Sequence, residues 1–283
     1  TQGLLKIDRG GDVLWAQRYR MDDAVLPVPM EVNLAEDATD TGILATASAP
    51  LSLLKLDAAG VPLWARRPVL PFQPSAGFSA MVQAPNGDVI LAGAMQVADM
   101  GDTDLWVTRL DASGAPVWSR RWGAVDRNEE PTSLLWWGDD LVVVGHTFSV
   151  SQEPADQAFA LRLSAAGAPI WEREIRGCDL FSDLTLRKAL VTRDGDLVAG
   201  GRYQFSSPKA LLLKLKADGS LSWSGGAAAE FIGVDLNDVV QLTDGGFLAT
   251  GTWWTAGQDD IWLARTDSVG RFLWLQRYDS GVR

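Results

Sequence analysis

The chain has 283 residues, 47% of them hydrophobic and 22% charged, with a formal net charge of -11 and a pI near 4.6. The apolar content is enough for a sizeable core. The acidic balance speaks against nucleic acid and anionic lipid, whose binders gather Lys and Arg on one face.

Read from the N terminus, the first recognisable element is LLKIDRGGDVLW (4–15). It returns as LLKLDAAGVPLW (53–64), VTRLDASGAPVW (107–118), ALRLSAAGAPIW (160–171), LLKLKADGSLSW (212–223) and LARTDSVGRFLW (263–274). The repeated pattern is D-x-x-G-x-x-x-W. Its glycines are Gly11, Gly60, Gly114, Gly167, Gly219 and Gly270, and its tryptophans are Trp15, Trp64, Trp118, Trp171, Trp223 and Trp274. The tryptophans stand 49, 54, 53, 52 and 51 residues apart, a period that marks a repeat architecture. Each copy reads as a β-hairpin, two apolar runs joined by a short polar turn. The turn Asp accepts from backbone amides ahead of it, and the glycine supplies a left-handed residue closing a type I turn with a G1 bulge. Ser164 and Lys216 replace the Asp in two copies, so the turn tolerates losing its cap but keeps its glycine.

A second hairpin precedes five of the six copies. It reads AMVQAPNGDVILAG (80–93), SLLWWGDDLVVVG (133–145), KALVTRDGDLVAGG (188–201) and DVVQLTDGGFLATG (238–251), with a degenerate version around 31–46. With this hairpin labelled a-b and the other c-d, the repeat is four antiparallel strands in about fifty residues, the propeller signature. The predicted fold is all-β, a β-propeller of about six four-stranded antiparallel blades. The first blade is incomplete and holds only its c and d strands. One propeller domain is expected over 1–283, with repeats near 1–29 (partial), 30–78, 79–131, 132–182, 183–234 and 235–283. The strands missing from the first blade would lie in sequence beyond this chain or in a partner chain. No apolar run reaches the ~18 residues that cross a bilayer.

Two columns of the internal alignment read as scaffold. The residue two before the turn Asp is always basic: Lys6, Lys55, Arg109, Arg162, Lys214 and Arg265. A ring of six anion sites is one reading. The other is a structural contact, with the turn Asp or across a tryptophan of the next blade. The repeated indoles are expected to fill the wedge between blades, each costing about 3–5 kcal/mol on truncation if buried.

Function is expected on the other face, where the b-c loops (95–104, 146–157, 202–209, 252–260) and d-a loops (67–77, 122–131, 175–183) differ in every copy. The candidate binding residues there are Trp122, Asp126, Glu129, Glu130, Trp254, Asp259, Asp260, Asp102 and Asp104. Acidic loops of this density could take calcium. The copies carry Gln157 and Lys209 in place of Asp104 and Asp260, so no repeated metal site is expected, and the b-c loop clusters Asp99, Asp102 and Asp104, and Asp259 and Asp260, read as solvated. Paired carboxylates for glycoside cleavage would come from Asp126, Glu129, Glu130 and Asp183. His146 and Cys178, each the sole residue of its type, lack a visible activating partner. Of the pairs Trp136–Trp137 and Trp253–Trp254, strand alternation turns one member outward, where it would be a binding hot spot.

The segments DLWVTRLDASGAPVWSRRWG (104–123) and DDIWLARTDSVGRFLWLQRY (259–278), with the a-b pattern DVVQLTDGGFLATGTW, resemble the bacterial SBBP β-propeller repeats. The resemblance covers nearly the whole chain. It implies an extracytoplasmic propeller, in the periplasm, at the cell surface or secreted, often part of an envelope protein and without catalytic residues. The turn element is also similar to quinoprotein-like and kelch-like propeller repeats. It departs from them in lacking the extra turn residue of the first and the second histidine ligand of the copper enzymes among the second. The expectation is a non-enzymatic scaffold without cofactor or metal, holding a protein partner on the loop face, alone or as a subunit of a larger assembly. A lectin-like carbohydrate binder, or a glycoside hydrolase-type propeller, is the alternative. Neither nucleic acid nor membrane insertion is expected.

Overall fold

The computed structural model describes residues 2–19, 32–36, 43–48, 51–66, 78–96, 102–149, 156–176, 183–204, 208–226, 233–254 and 259–279. Every regular element among them is a β-strand. The first sheet has two strands, β1 (Gln2–Ile7) and β2 (Val13–Tyr19). Five four-stranded sheets follow. The second holds β3 (Val32–Glu36), β4 (Ile43–Ser48), β5 (Leu51–Leu56) and β6 (Pro62–Arg66). The third holds β7 (Phe78–Gln83), β8 (Val89–Gln96), β9 (Thr103–Leu110) and β10 (Pro116–Trp122). The fourth holds β11 (Arg127–Trp137), β12 (Asp140–Ser149), β13 (Gln157–Ser164) and β14 (Pro169–Ile175). The fifth holds β15 (Asp183–Val191), β16 (Leu197–Gln204), β17 (Pro208–Leu215) and β18 (Leu221–Gly226). The sixth holds β19 (Val234–Gln241), β20 (Phe247–Trp254), β21 (Asp259–Thr266) and β22 (Phe272–Tyr278). In every sheet each strand lies beside its sequence neighbour, the a-b-c-d meander that the two hairpin patterns predict.

The chain divides into two compact units. One comprises residues 1–96 and 106–121, and the other comprises 97–105 and 122–283. Within each unit, four-stranded sheets pack on the first strand of the four-stranded sheet that follows. β3 meets β7 in the first unit; β11 meets β15, and β15 and β16 meet β19, in the second. The core is thus a set of apolar layers between sheets. One layer joins Val142, Val144, Leu186, Leu197 and Leu213, and the next joins Val198, Leu212, Leu236, Phe247 and Trp262.

The turn chemistry follows the repeat. In the Asp57 turn the Asp57 N–H donates to Val61 O, the Gly60 N–H donates back to Asp57 O, and Asp57 Oδ1 accepts from the N–H groups of Ala59 and Val61. All six turn glycines have φ between +75° and +91°. A side chain there would meet the ~1–2 kcal/mol penalty of left-handed backbone. Where Ser164 replaces Asp, its hydroxyl still accepts from Ala168 N–H at 3.2 Å. Where Lys216 stands, the neighbouring Asp218 caps Ser220 instead.

The glycines that end the b strands have a different cause. The a strands of the last three sheets are bulged, at 131–133, 186–188 and 236–238, and the bulge brings a carbonyl toward the b strand. A Cβ on Gly201 would run into Thr185 O and sit 2.8 Å from Leu186 Cα. Gly145 and Gly251 meet the carbonyls of Glu130 and Asp235 in the same way.

The basic column is structural, but its partner is not the acid of its own turn. Arg109 pairs with Asp88, Arg162 with Asp140, Lys214 with Asp194 and Asp196, and Arg265 with Asp244, all acids of the a-b turn in the same sheet. Strand c lies beside strand b, so this carboxylate is nearer than the one across the c-d turn. The indole that a basic residue covers is likewise in its own sheet, Arg162 standing 4.6 Å over Trp137. The repeated tryptophans are half-buried rather than engulfed, and Trp274 is 43% exposed. They sit on the d strand, and Trp15, Trp171 and Trp223 lie against Gly60, Gly219 and Gly270 of the following sheet.

Candidate functional site

The chemistry-bearing side chains gather where the b-c and d-a connections meet the strands of the second unit. Asp102 immediately precedes β9 and Asp104 lies on it. Gly123–Asp126 lead into β11, which carries Arg127, Asn128, Glu129 and Glu130. Asn128 ties the two segments together, accepting from the Thr103 N–H at 2.7 Å and its hydroxyl at 3.0 Å. Asp126 has a positive φ of 64°, a conformation that Asp tolerates better than most residues. It turns its own N–H to Asp102 Oδ2 at 3.2 Å.

This weave encloses three carboxyl groups. Asp102, Asp104 and Glu129 are 2%, 6% and 7% exposed, which corrects the reading of Asp102 and Asp104 as solvated loop residues. They are buried because the 122–131 connection folds over the start of β9. Gly123 makes room for them: a Cβ there would collide with the Asp104 carboxylate and stand 2.8 Å from Glu129 Oε2. Glu129 Oε1 accepts the Ala124 N–H at 3.3 Å, while Glu129 Oε2 and Asp102 Oδ1 are buried without a hydrogen bond. Burial first, then the charges of Asp104 and Asp102, push the Glu129 carboxyl up to about 7, against the pull of the Ala124 N–H and Arg127. Such a group is a proton donor near neutral pH beside a carboxylate.

The internal alignment singles out Glu129. It faces Thr147 across the pair, as Leu184 faces Tyr203 and Val234 faces Trp253 in the next two sheets. Leu184 and Val234 are core residues, so Glu129 is an acid at an apolar position. Thr147 then pairs with Gln157, and Arg127 donates to the Thr147 hydroxyl, so a polar row crosses the sheet.

The remaining candidates are dispersed. Glu130 sits 3.5 Å from His146 Nε2, and the hydrogen bond from His146 is the largest cause holding its carboxyl below the usual range. Asp260 is 1% exposed and pairs with Arg277, so it too is buried rather than solvated. Asp259 is exposed at the start of β21, beside Trp254 in the register. Trp122 is half-buried at the end of β10, and Asp126 is exposed. Of the tryptophan pairs, Trp137 is buried at 4% and Trp254 exposed at 40%, the alternation expected of neighbours on a strand. Arg202 stands 5.6 Å from the Trp254 ring. Cys178 lies outside the described residues.

Three groups lay outside the sequence reading. Asp235, 3% exposed, accepts from Arg187 at 3.0 Å, and its Oδ1 is buried without a hydrogen bond. Arg187 is the bulge residue of β15, a column shared with Thr132 and Asn237 that the bulges make visible. Asp156 is raised by burial and then by Asp183, whose Oδ1 accepts the Asp156 N–H as Asn128 accepts that of Thr103. Among the described residues, no group of three or more His, Cys, Asp or Glu side chains is disposed to hold a metal ion.

No protein-family model matches the chain, and no curated protein does. Solved structures do. A protein of unknown function from Bacteroides caccae is 13% identical with a TM-score of 0.54, over 95% of this chain and 87% of that one. The α-L-arabinanase of Penicillium chrysogenum, complexed with arabinobiose, is 10% identical with a TM-score of 0.52, over 88% and 81%. A mutant apocarotenoid oxygenase of Synechocystis is 10% identical with a TM-score of 0.53, over 93% and 64%. These likenesses speak to fold: an all-β, β-propeller-like architecture.

Proposed function

We propose that the chain is a non-enzymatic SBBP-type propeller scaffold with six blade positions, the first incomplete. It works outside the cytoplasm and holds a protein partner on its b-c/d-a loop face. The observation that carries this reading is Trp254, a 40% exposed indole at the loop end of β20 with the Arg202 guanidinium 5.6 Å from its ring. Trp and Arg are the residues that most often anchor protein interfaces. The neighbouring acids Asp235 and Asp260 are engaged by Arg187 and Arg277, which favours a rigid platform over a reactive cleft. The test immobilises the native chain and its Trp254→Ala and Arg202→Ala variants against envelope proteins of a bacterial source. Proteins held by the native chain should bind each variant at least tenfold more weakly at unchanged melting temperature. Equal retention by all three would reject this face.

One observation favours a second reading, a glycoside-acting propeller. Glu129, held near 7 beside Asp104, has the environment of a general acid next to a carboxylate. The arabinanase among the structural neighbours is consistent with it. Release of sugar from arabinan or aryl glycosides, falling as pH rises through about 7 and absent in Glu129→Gln, would replace the scaffold reading.

A further inference from the structure

Strand pairing repeats one cross-strand position in the last three sheets, one residue beyond the column of Glu129, Leu184 and Val234. Glu130 faces His146 in the fourth sheet, Thr185 faces Arg202 in the fifth, and Asp235 faces Thr252 in the sixth. Directly opposed residues hold their side chains on one face of a sheet. In the fourth and sixth sheets the a strand supplies an acid here, and the acid has a basic partner. Glu130 lies 3.5 Å from His146 Nε2, and Asp235 accepts from Arg187 at 3.0 Å. In the fifth sheet Thr185 stands in place of the acid, and the cation remains.

Arg202 thus lacks the carboxylate that the repeat provides on either side. Its Nε is buried without a hydrogen bond, and no described residue forms an ion pair with it. Thr185 is 3% exposed, and its Oγ1 is also buried without a hydrogen bond. The pair belongs to the layer between the fifth and sixth sheets, because Ala210, which faces Arg202 on β17, packs there with Leu212, Val234 and Phe247. Both sheets lie in the second unit. From the sixth sheet, the Trp254 ring stands 5.6 Å from the guanidinium carbon. Asp156 feels the charge of Arg202 without bonding to it, and burial still holds its carboxyl above the usual range. A cation taken partly out of water costs free energy until its donors are met, and the acceptor that meets them best is itself charged.

We propose that Arg202 and Thr185 bind a carboxylate brought by the protein partner, the side chain of an Asp or Glu in a segment lying against Trp254. The inference rests on the reading of Trp254 and Arg202 as the partner-holding surface, and it names what that surface selects. The guanidinium offers the carboxylate a planar fork of donors, and the Thr185 hydroxyl offers one more from the neighbouring strand. Residues beside the acid rest on the 40% exposed Trp254 indole. The bound acid gives the fifth sheet the charge pair that Glu130 and His146 make in the fourth.

A displayed random peptide library tests this. Peptides are selected on the native chain and counter-selected on Trp254→Ala, so that only ligands of this face remain. They should share an Asp or Glu at one position, and its replacement by Asn or Gln should weaken binding about tenfold, the worth of one charge-assisted bond. Arg202→Gln should bind the acidic and the amide peptide equally, and Thr185→Val should narrow the difference between them. Peptides that depend on Trp254 but share no acid would overturn the carboxylate assignment and leave the partner surface standing. So would an acid preference that survives in Arg202→Gln. A library without any Trp254-dependent peptide would remove the surface, and the assignment with it. Should Arg202→Gln not fold, Arg202→Lys decides. It keeps the charge and loses the fork, so the acid preference should fall about threefold, and an undiminished preference would overturn the assignment.

Discussion

Glu129 allows the burial of the acidic cluster to be measured as stability. Its carboxyl is moved from an ordinary 4.5 to about 7 by burial and by Asp104 and Asp102, with Arg127 and the Ala124 N–H opposing. At ~1.4 kcal/mol per pH unit this amounts to about 3 kcal/mol. The sign follows from which state holds the proton. Below pH 4.5 the carboxyl is protonated whether the chain is folded or not, and the favourable contribution is fully present. Between 4.5 and about 7 the unfolded chain ionises while the folded one does not, and stability falls. Above about 7 the folded chain carries a buried carboxylate beside two others, and the loss is complete. Glu129→Gln keeps the shape and removes the titration. Urea unfolding followed by tryptophan fluorescence from pH 4 to 8.5 should show the variant gaining about 3 kcal/mol on the native chain across the window. Asp104→Asn, which removes one of the raising charges, should shrink the native step. Native and Glu129→Gln curves that run parallel would refute the buried, charge-crowded environment.

Trp171 lies against Gly219 with its indole N–H on Ala217 O, whereas Trp274 is 43% exposed, so the repeated tryptophans should not be equal in stability. Trp171→Ala should cost about 2–3 kcal/mol in urea unfolding, less than the 3–5 of an engulfed indole. Trp274→Ala should cost under about 1 kcal/mol. Gly201→Ala sets a methyl against the Thr185 carbonyl and should lower stability by about 3 kcal/mol, measured the same way. Arg277→Ala leaves the 1% exposed Asp260 without this guanidinium and should cost about 2–3 kcal/mol at neutral pH. The double variant Arg277→Ala/Asp260→Asn should recover part of that loss.

Much of the scaffold was legible because it rests on local chemistry repeated six times. The D-x-x-G turn needs a capping oxygen and a left-handed residue within four positions, so its residues announce it. The order of strands follows once each hairpin is recognised. Partners were harder to read. Lys214 could meet an acid on either side of its strand, and only the pairing of strand c with strand b decides for Asp194 and Asp196 over its own turn. The same holds for Asp260, which looks like one more loop acid until Arg277 of β22 is brought over it.

The residues alone determined the repeat, the hairpins and the left-handed glycines, because each depends on neighbours a few positions away. Tertiary structure decided the rest: that Asp102, Asp104 and Glu129 share one dry enclosure, that Trp15, Trp171 and Trp223 rest on Gly60, Gly219 and Gly270 of the following sheet, and that Trp254 faces outward. Burial and charge crowding are sums over groups far apart in the chain. A pattern that is read one segment at a time contains the terms of such a sum but not the distances that weight them.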